Sequence, residues 1–168
     1  MSVRALFSVV IITVRDSALD DVVLDVNEEA WSLISLAFEG SATEYFVLGI
    51  VLFNVVSVPD RILGTGINAP EQELPHKGYI RVFEVTETRR LRQVSVLEVR
   101  GAVLSMDKLH GKLVASINNS VHVFAWQEAG SSDSFKLTSE TNVQSFLAAL
   151  YVKTRGGKSF SFSFQVRV

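Results

Sequence analysis

Apolar and polar side chains alternate with a period of two in several stretches of this chain, and that pattern predicts β-strands. The clearest case is residues 158–168, where Phe160, Phe162, Phe164, Val166 and Val168 fall on one face and Ser159, Ser161, Ser163, Gln165 and Arg167 on the other. Such a strand is an aggregation hazard unless a neighbour covers it. Residues 79–85 (YIRVFEV), with Tyr79, Arg81, Phe83 and Val85 against Ile80, Val82 and Glu84, and 91–99 (LRQVSVLEV), with Val94, Val96 and less cleanly Glu98 on one face, read as further strands. Gly101 breaks the pattern, and residues 102–109 continue it. His110-Gly111 and Asn118-Asn119 then form tight turns into strands at 112–117 and 120–126. Asn and Gly tolerate the positive φ that two-residue hairpin loops require.

Upstream, residues 31–38 (WSLISLAF) are largely apolar on both faces, as in an inner strand held between packed layers. Residues 45–53 (YFVLGIVLF) make another aromatic and aliphatic strand, after a turn at 39–44 that holds Gly40 and Ser41. Residues 54–74 lose periodicity and read as a long loop, and 130–134 as a polar loop. Residues 142–154, with Phe146, Leu147, Leu150 and Val152, fit a strand or a short helix equally well. The predicted fold class is all-β, built of antiparallel meander sheets at the strand density of propeller blades.

At 168 residues and 18.5 kDa the chain has the size of one domain. Its apolar fraction is 48% and its mean hydropathy +0.28, on the sticky side for a small soluble protein. A net charge of -2 and a pI near 5.9 provide no overall attraction to phosphate, which disfavours DNA binding by bulk electrostatics. The absence of cysteine rules out disulfides, Cys-based zinc sites and thiol nucleophiles, and fits a nuclear or cytoplasmic location. Residues 5–14 (ALFSVVIITV) loosely mimic a secretory signal, but only Arg4 precedes them and no A-x-A cleavage pattern follows. They are too few for a membrane-spanning helix, and their β-branched content favours a strand.

No catalytic constellation emerges. His76, His110 and His122 show no metal-ligand spacing, and Ser116 and Ser120 lack a nucleophile-elbow context. Gly64 and Gly66 begin a glycine pattern without the third glycine or the helix that a dinucleotide loop needs. The acidic run Asp16, Asp20, Asp21, Asp25, Glu28 and Glu29 does not have calcium-loop spacing and reads as a solvated strand and loop. Arg89, Arg90 and Arg92 form a basic cluster that Arg81, Arg100, Lys108 and Lys112 extend only if the strands bring them together. Trp31 and Trp126 are expected in a core or an interface. The expectation is therefore no enzyme, no catalytic, cofactor or metal residues, no cofactor and no membrane.

Several segments carry a family resemblance. Asn27-Glu28, Ala30 and Ser32-Leu33, then Tyr45-Phe46-Val47 and Gly49, match the opening strands of a blade. Residues 70–82 match an acidic, proline-containing loop that ends in a glycine and a strand. Residues 101–126 match almost continuously, through GAV, SM, GKL, ASIN and a closing Trp126, and residues 149–156 match the next strand and turn. The chain thus resembles the family that unites the large subunit of the damaged-DNA-binding protein with a cleavage-and-polyadenylation factor and a splicing factor, in its third β-propeller.

That resemblance implies an incomplete β-propeller of WD40-like blades over residues 1–168, covering about two blades. It implies a non-catalytic scaffold linked to cullin-RING ubiquitin ligases as adaptor, to substrate receptors as protein partners, and to repair of ultraviolet-damaged DNA. Nucleic-acid binding, directly or through partners, and a location in nucleus and cytoplasm follow by the same implication. The family's cullin contact lies on another propeller, so this stretch alone is not expected to be the adaptor. A subunit of an mRNA polyadenylation or splicing complex is the alternative, as is a nonfunctional truncated gene-model product. Residues 50–64 have no counterpart in the family and are expected to be an insertion, whose removal would join Gly49 to Thr65; residues 157–168 are expected to be a divergent tail.

Overall fold

Strand periodicity becomes sheet wherever a turn residue lets the chain reverse. The computed structural model describes residues 8–12, 18–53, 75–128, 135–155 and 159–164. Those residues form β1 (Ser8–Ile12), β2 (Ala18–Val23), β3 (Glu28–Ala37), β4 (Glu44–Leu52), β5 (Lys77–Val85), β6 (Leu91–Val99), β7 (Val103–Leu109), β8 (Lys112–Ile117), β9 (Ser120–Glu128), β10 (Phe135–Gln144), β11 (Ala149–Arg155) and β12 (Ser159–Phe164). Every pairing is antiparallel. Two complete four-stranded meanders result, β3-β4-β5-β6 and β7-β8-β9-β10, flanked by the two-stranded hairpins β1-β2 and β11-β12. Consecutive meanders stacked face to face are the blades of a β-propeller, here an incomplete one.

The predicted run of strands from 79 to 126 is divided between two sheets. Gly101, at φ 135°, marks the crossing from β6 to β7, and a Cβ there would lie 2.7 Å from the Asn118 side chain. His110 (φ 49°) and Gly111 (φ 71°) make the β7–β8 turn, and Asn118 (φ 50°) opens the β8–β9 turn, as their types predict. β10 is a strand that the periodicity did not identify, and residues 146–148 form neither strand nor helix. Ile50, Val51 and Leu52 complete β4, paired on both sides with β3 and β5. Phe53 follows β4 and donates its amide to the Asn27 carbonyl, whereas residues 54–64 of the expected insertion, the loops at 54–74 and 130–134, and residues 157–158 and 165–168 of the tail lie outside the described residues.

Packing sets the order of the stack. A central core joins the two complete sheets through Leu36, Phe38, Val47, Ile80 and Val82 on one side and Val103, Met106, Leu113 and Phe124 on the other. A second cluster packs β2 and the residue after it against the first sheet through Val22, Leu24, Leu48, Ile50 and Phe83. The third packs β11 on the second sheet through Ala149, Val152, Val114 and Val121. The innermost strands β3, β7 and β11 are neighbours, and so are the outermost, β2, β6 and β10. At the centre the sheets approach so closely that a Cβ on Gly49 of β4 would sit 2.6 Å from Val103 Cγ1.

Candidate functional site

The segments that carry the family resemblance build the joints between sheets. In Ala115–Asn118, Ala115 and Ser116 are fully buried, and the Ser116 hydroxyl donates to the Ser105 carbonyl at 3.2 Å. Asn118 Oδ1 accepts from the Ala102 amide at 2.8 Å, its Nδ2 donates to the Pro75 carbonyl at 3.0 Å, and its carbonyl accepts from Ala149 N at 2.7 Å. One asparagine thus ties together the entry to β5, the β6–β7 crossing and the start of β11. Along the inner strands, Met106 N donates to Ser32 Oγ at 3.0 Å, and Thr154 donates to Asp107 Oδ2 from its amide at 2.8 Å and from its hydroxyl at 3.1 Å.

Burial pushes the Asp107 carboxyl up, yet the hydrogen bonds from Thr154 and Lys108 and the charge of Lys153 hold it below the usual range. A carboxyl whose folded pKa lies below its unfolded value of 3.8 adds stability above that pH, and the contribution fades as pH falls through the folded value. Amide exchange at Val152–Thr154 is therefore expected to accelerate selectively below about pH 4. Asp107→Asn should remove that selective acceleration, leaving only the general acid response of the fold.

Asn119 braces the neighbouring connection. Its carbonyl accepts from Ser145 N at 2.8 Å and its Nδ2 donates to the Ser145 carbonyl at 2.9 Å, while Leu147 N donates to Ser145 Oγ at 3.2 Å. The fixed β10–β11 connection presents Phe146 wholly to solvent, with Val143, Leu147, Leu150 and Tyr151 also exposed nearby in sequence. Large apolar groups left exposed on and beside a braced connection make it the candidate docking surface. The segment 142–154 fits a strand or a short helix by pattern, and of its named apolar positions Val152 is buried whereas Phe146, Leu147 and Leu150 are exposed. No sequence signal separated the two outcomes.

The histidines do not converge: His76 and His110 are exposed, and His122 lines a groove of about 630 Å³ between β6 and β8–β10. Burial lowers the pKa of the His122 imidazole. Its Nε2 lies 2.8 Å from Ser120 Oγ, whose own proton goes to the Ile117 carbonyl at 2.9 Å. This network assigns the Nε2 proton to the imidazole as donor, the opposite of what an activated serine requires. Among the described residues no group of three His, Cys, Asp or Glu side chains is placed to hold a metal ion.

The basic cluster meets the acidic run. Arg90 donates to Asp20 Oδ1 at 3.1 Å, and Leu91 N donates to Asp20 Oδ2 at 3.0 Å. The Leu91 amide, with Arg90, holds the Asp20 carboxyl below its ordinary value. Arg92 pairs with Glu84, Arg81 with Glu28, and Lys112 with Glu140. Four of the seven basic residues of the cluster and its extension thus join strands within and between sheets. Trp126 stacks on Phe38 between the two complete sheets, as an interface residue should, whereas Trp31 is 46% exposed on β3.

Comparison with known proteins agrees with this architecture. The family model described as "CPSF A subunit region" matches residues 7–156. The chain is 31% identical over 133 residues to DNA damage-binding protein 1 of Solanum lycopersicum, covering 79% of this chain and 11% of that protein. It is 34% identical over 135 residues to DNA damage-binding protein 1 of Oryza sativa subsp. japonica, and 33% identical over 135 residues to DNA damage-binding protein 1b of Arabidopsis thaliana, with the same coverage. The chain therefore spans about a ninth of the length of these relatives.

Proposed function

Because the chain belongs to the CPSF A subunit region family, we propose that this propeller scaffold acts by docking protein partners, in the service of a cullin-RING ubiquitin ligase and the handling of damaged DNA. The observation that carries this reading is Phe146, fully exposed on a connection braced by Asn119 and Ser145. Exposed aromatics are common anchors of protein interfaces, and a backbone already braced by hydrogen bonds has little freedom left to lose on binding. Relatives named DNA damage-binding protein 1 support the link to DNA damage and a nuclear setting. The partner class that fits is a substrate receptor of the ligase, and nucleic acid is reached through such partners, since a net charge of -2 gives the chain no overall attraction to phosphate.

Phe146→Ser is expected to reduce co-purification of a cullin-ligase substrate receptor by roughly 30-fold, the equivalent of about 2 kcal/mol at an interface anchor. Its thermal midpoint should stay unchanged, because the ring contributes nothing to the core. Undiminished recovery of the receptor would defeat the assignment of the surface. Crosslinking to RNA without any receptor would instead support a subunit of an RNA-processing complex.

A further inference from the structure

The groove beside His122 lies between the outer parts of the two complete sheets, away from both terminal hairpins. Blades radiate from a central channel, so neighbouring sheets spread apart towards their outer strands. Between β6 and β8–β10 that spreading leaves about 630 Å³. The floor is apolar, formed by Val99, Ile117 and Phe124 of the central core. One wall is polar. On β9, Ser120 and His122 stand opposite Gln144 and Asn142 of β10, and Phe124 stands opposite Ser139. The bulge between Ser139 and Thr141 brings Ser139 onto the face that Asn142 and Gln144 share. We propose that this groove binds an extended segment of a protein partner, about five residues long, with an acidic side chain seated on Arg100. The site does not rest on the ligase reading.

Three observations point to that occupant. Charge is the first. Glu98 in the groove is engaged by Lys77 at 2.9 Å, whereas Arg100 makes no ion pair or hydrogen bond with another described residue. What the groove leaves uncompensated is one guanidinium, whose best complement is a carboxylate. His122 adds no second charge, because burial lowers its pKa and keeps the ring neutral near pH 7. Spacing is the second. Asn142 and Gln144 stand two residues apart on β10, about 7 Å, which is the repeat of an extended chain. Each side-chain amide offers a donor and an acceptor, as a peptide unit does. Neither amide, nor the Ser139 hydroxyl, makes a hydrogen bond to another described residue. Length is the third. The ladder positions from Ser120 to Phe124 span about 14 Å, the reach of about five extended residues. A small free anion would engage Arg100 and leave the amide row unused.

The test titrates the whole, isotope-labelled chain with five capped pentapeptides of alternating threonine and valine, each carrying one aspartate at a different position. Nuclear magnetic resonance should show the side-chain amides of Asn142 and Gln144 and the Arg100 Nε–H shifting together with one favoured peptide. Its asparagine counterpart should bind about 10-fold more weakly, the usual contribution of a charge-assisted hydrogen bond. Arg100→Gln should weaken the aspartate peptide by about the same factor and leave the asparagine peptide unchanged. Arg100 is exposed, so strand content should survive its replacement. Phe146→Ser should leave the titration unaltered, which separates the groove from the docking surface. Groove resonances that stay still with all five peptides would overturn the proposal. The same shifts from acetate alone would also overturn it, reducing the groove to an anion site. So would a preference for aspartate over asparagine that persists in Arg100→Gln.

Discussion

Glu28→Ala is expected to destabilise the fold by about 3–5 kcal/mol, because it leaves a mostly buried guanidinium without its counter-ion. Glu28 stands at the start of β3 with 3% of its side chain exposed, and Arg81 reaches it from β5 with 17% exposed. Its second oxygen accepts from the Asp25 amide at 3.1 Å, so the carboxylate also closes the turn between β2 and β3. The Arg81 guanidinium lies 5.8 Å from the Tyr79 ring centroid, a weak second contact that cannot replace the carboxylate. Removing one partner of a buried pair costs far more than an exposed pair contributes. Against a typical domain stability of roughly 5–15 kcal/mol the loss is large. Urea unfolding followed by circular dichroism measures it directly. Replacing both residues with leucine should recover most of the loss, since apolar side chains need no counter-ion. A midpoint for Glu28→Ala within error of the parent would show that water satisfies Arg81.

Phe38→Ala is expected to cost a similar amount, about 3–5 kcal/mol, through the cavity it opens between the two complete sheets. Phe38 is 2% exposed and follows β3 directly. Its ring stacks on Trp126 of β9 with centroids 4.6 Å apart and planes within 8°, and is tilted against Tyr45 of β4 at 5.6 Å. Tyr45 and Trp126 meet at 5.4 Å, so the three rings form one cluster across the joint. Stacked and tilted pairs add about 0.5–1.5 kcal/mol each beyond area burial. Truncation should lower the thermal midpoint and shift the Trp126 emission to the red as water reaches the joint. Phe38→Leu should lose less, because it refills much of the volume. An unchanged emission spectrum in Phe38→Ala would mean that the sheets meet without this cluster.

Much of the backbone was legible beforehand. The alternation in residues 79–85 and 91–99 and the Asn and Gly turns at 110–111 and 118–119 correspond to strands and turns of the structure. β10 was missed because its exposed, mostly polar sequence, FKLTSETNVQ, carries no apolar alternation; it is held by pairing with β9. The candidate docking surface was illegible for a related reason. The pattern of residues 142–154 fits a strand or a short helix, and which of Phe146, Leu147, Leu150 and Val152 are buried depends on what packs against them. The salt bridge from Asp20 to Arg90 likewise joins residues seventy positions apart, and local spacing holds no record of it.

By itself the sequence determined an all-β chain with its reversals at defined points, because side-chain alternation and positive-φ turns are governed by sterics within a few residues. Tertiary structure alone decided how the strands divide into sheets, placing a boundary at Gly101 and leaving a half-sheet at each end of the stack. It also decided which apolar faces are covered: Leu36 and Phe38 are buried against the second sheet, while Trp31 and Leu33 on the opposite face of β3 are left in solvent. The physical reason is that pairing and burial depend on partners distant in the chain, and a period of two gives each strand two faces without saying what lies opposite either.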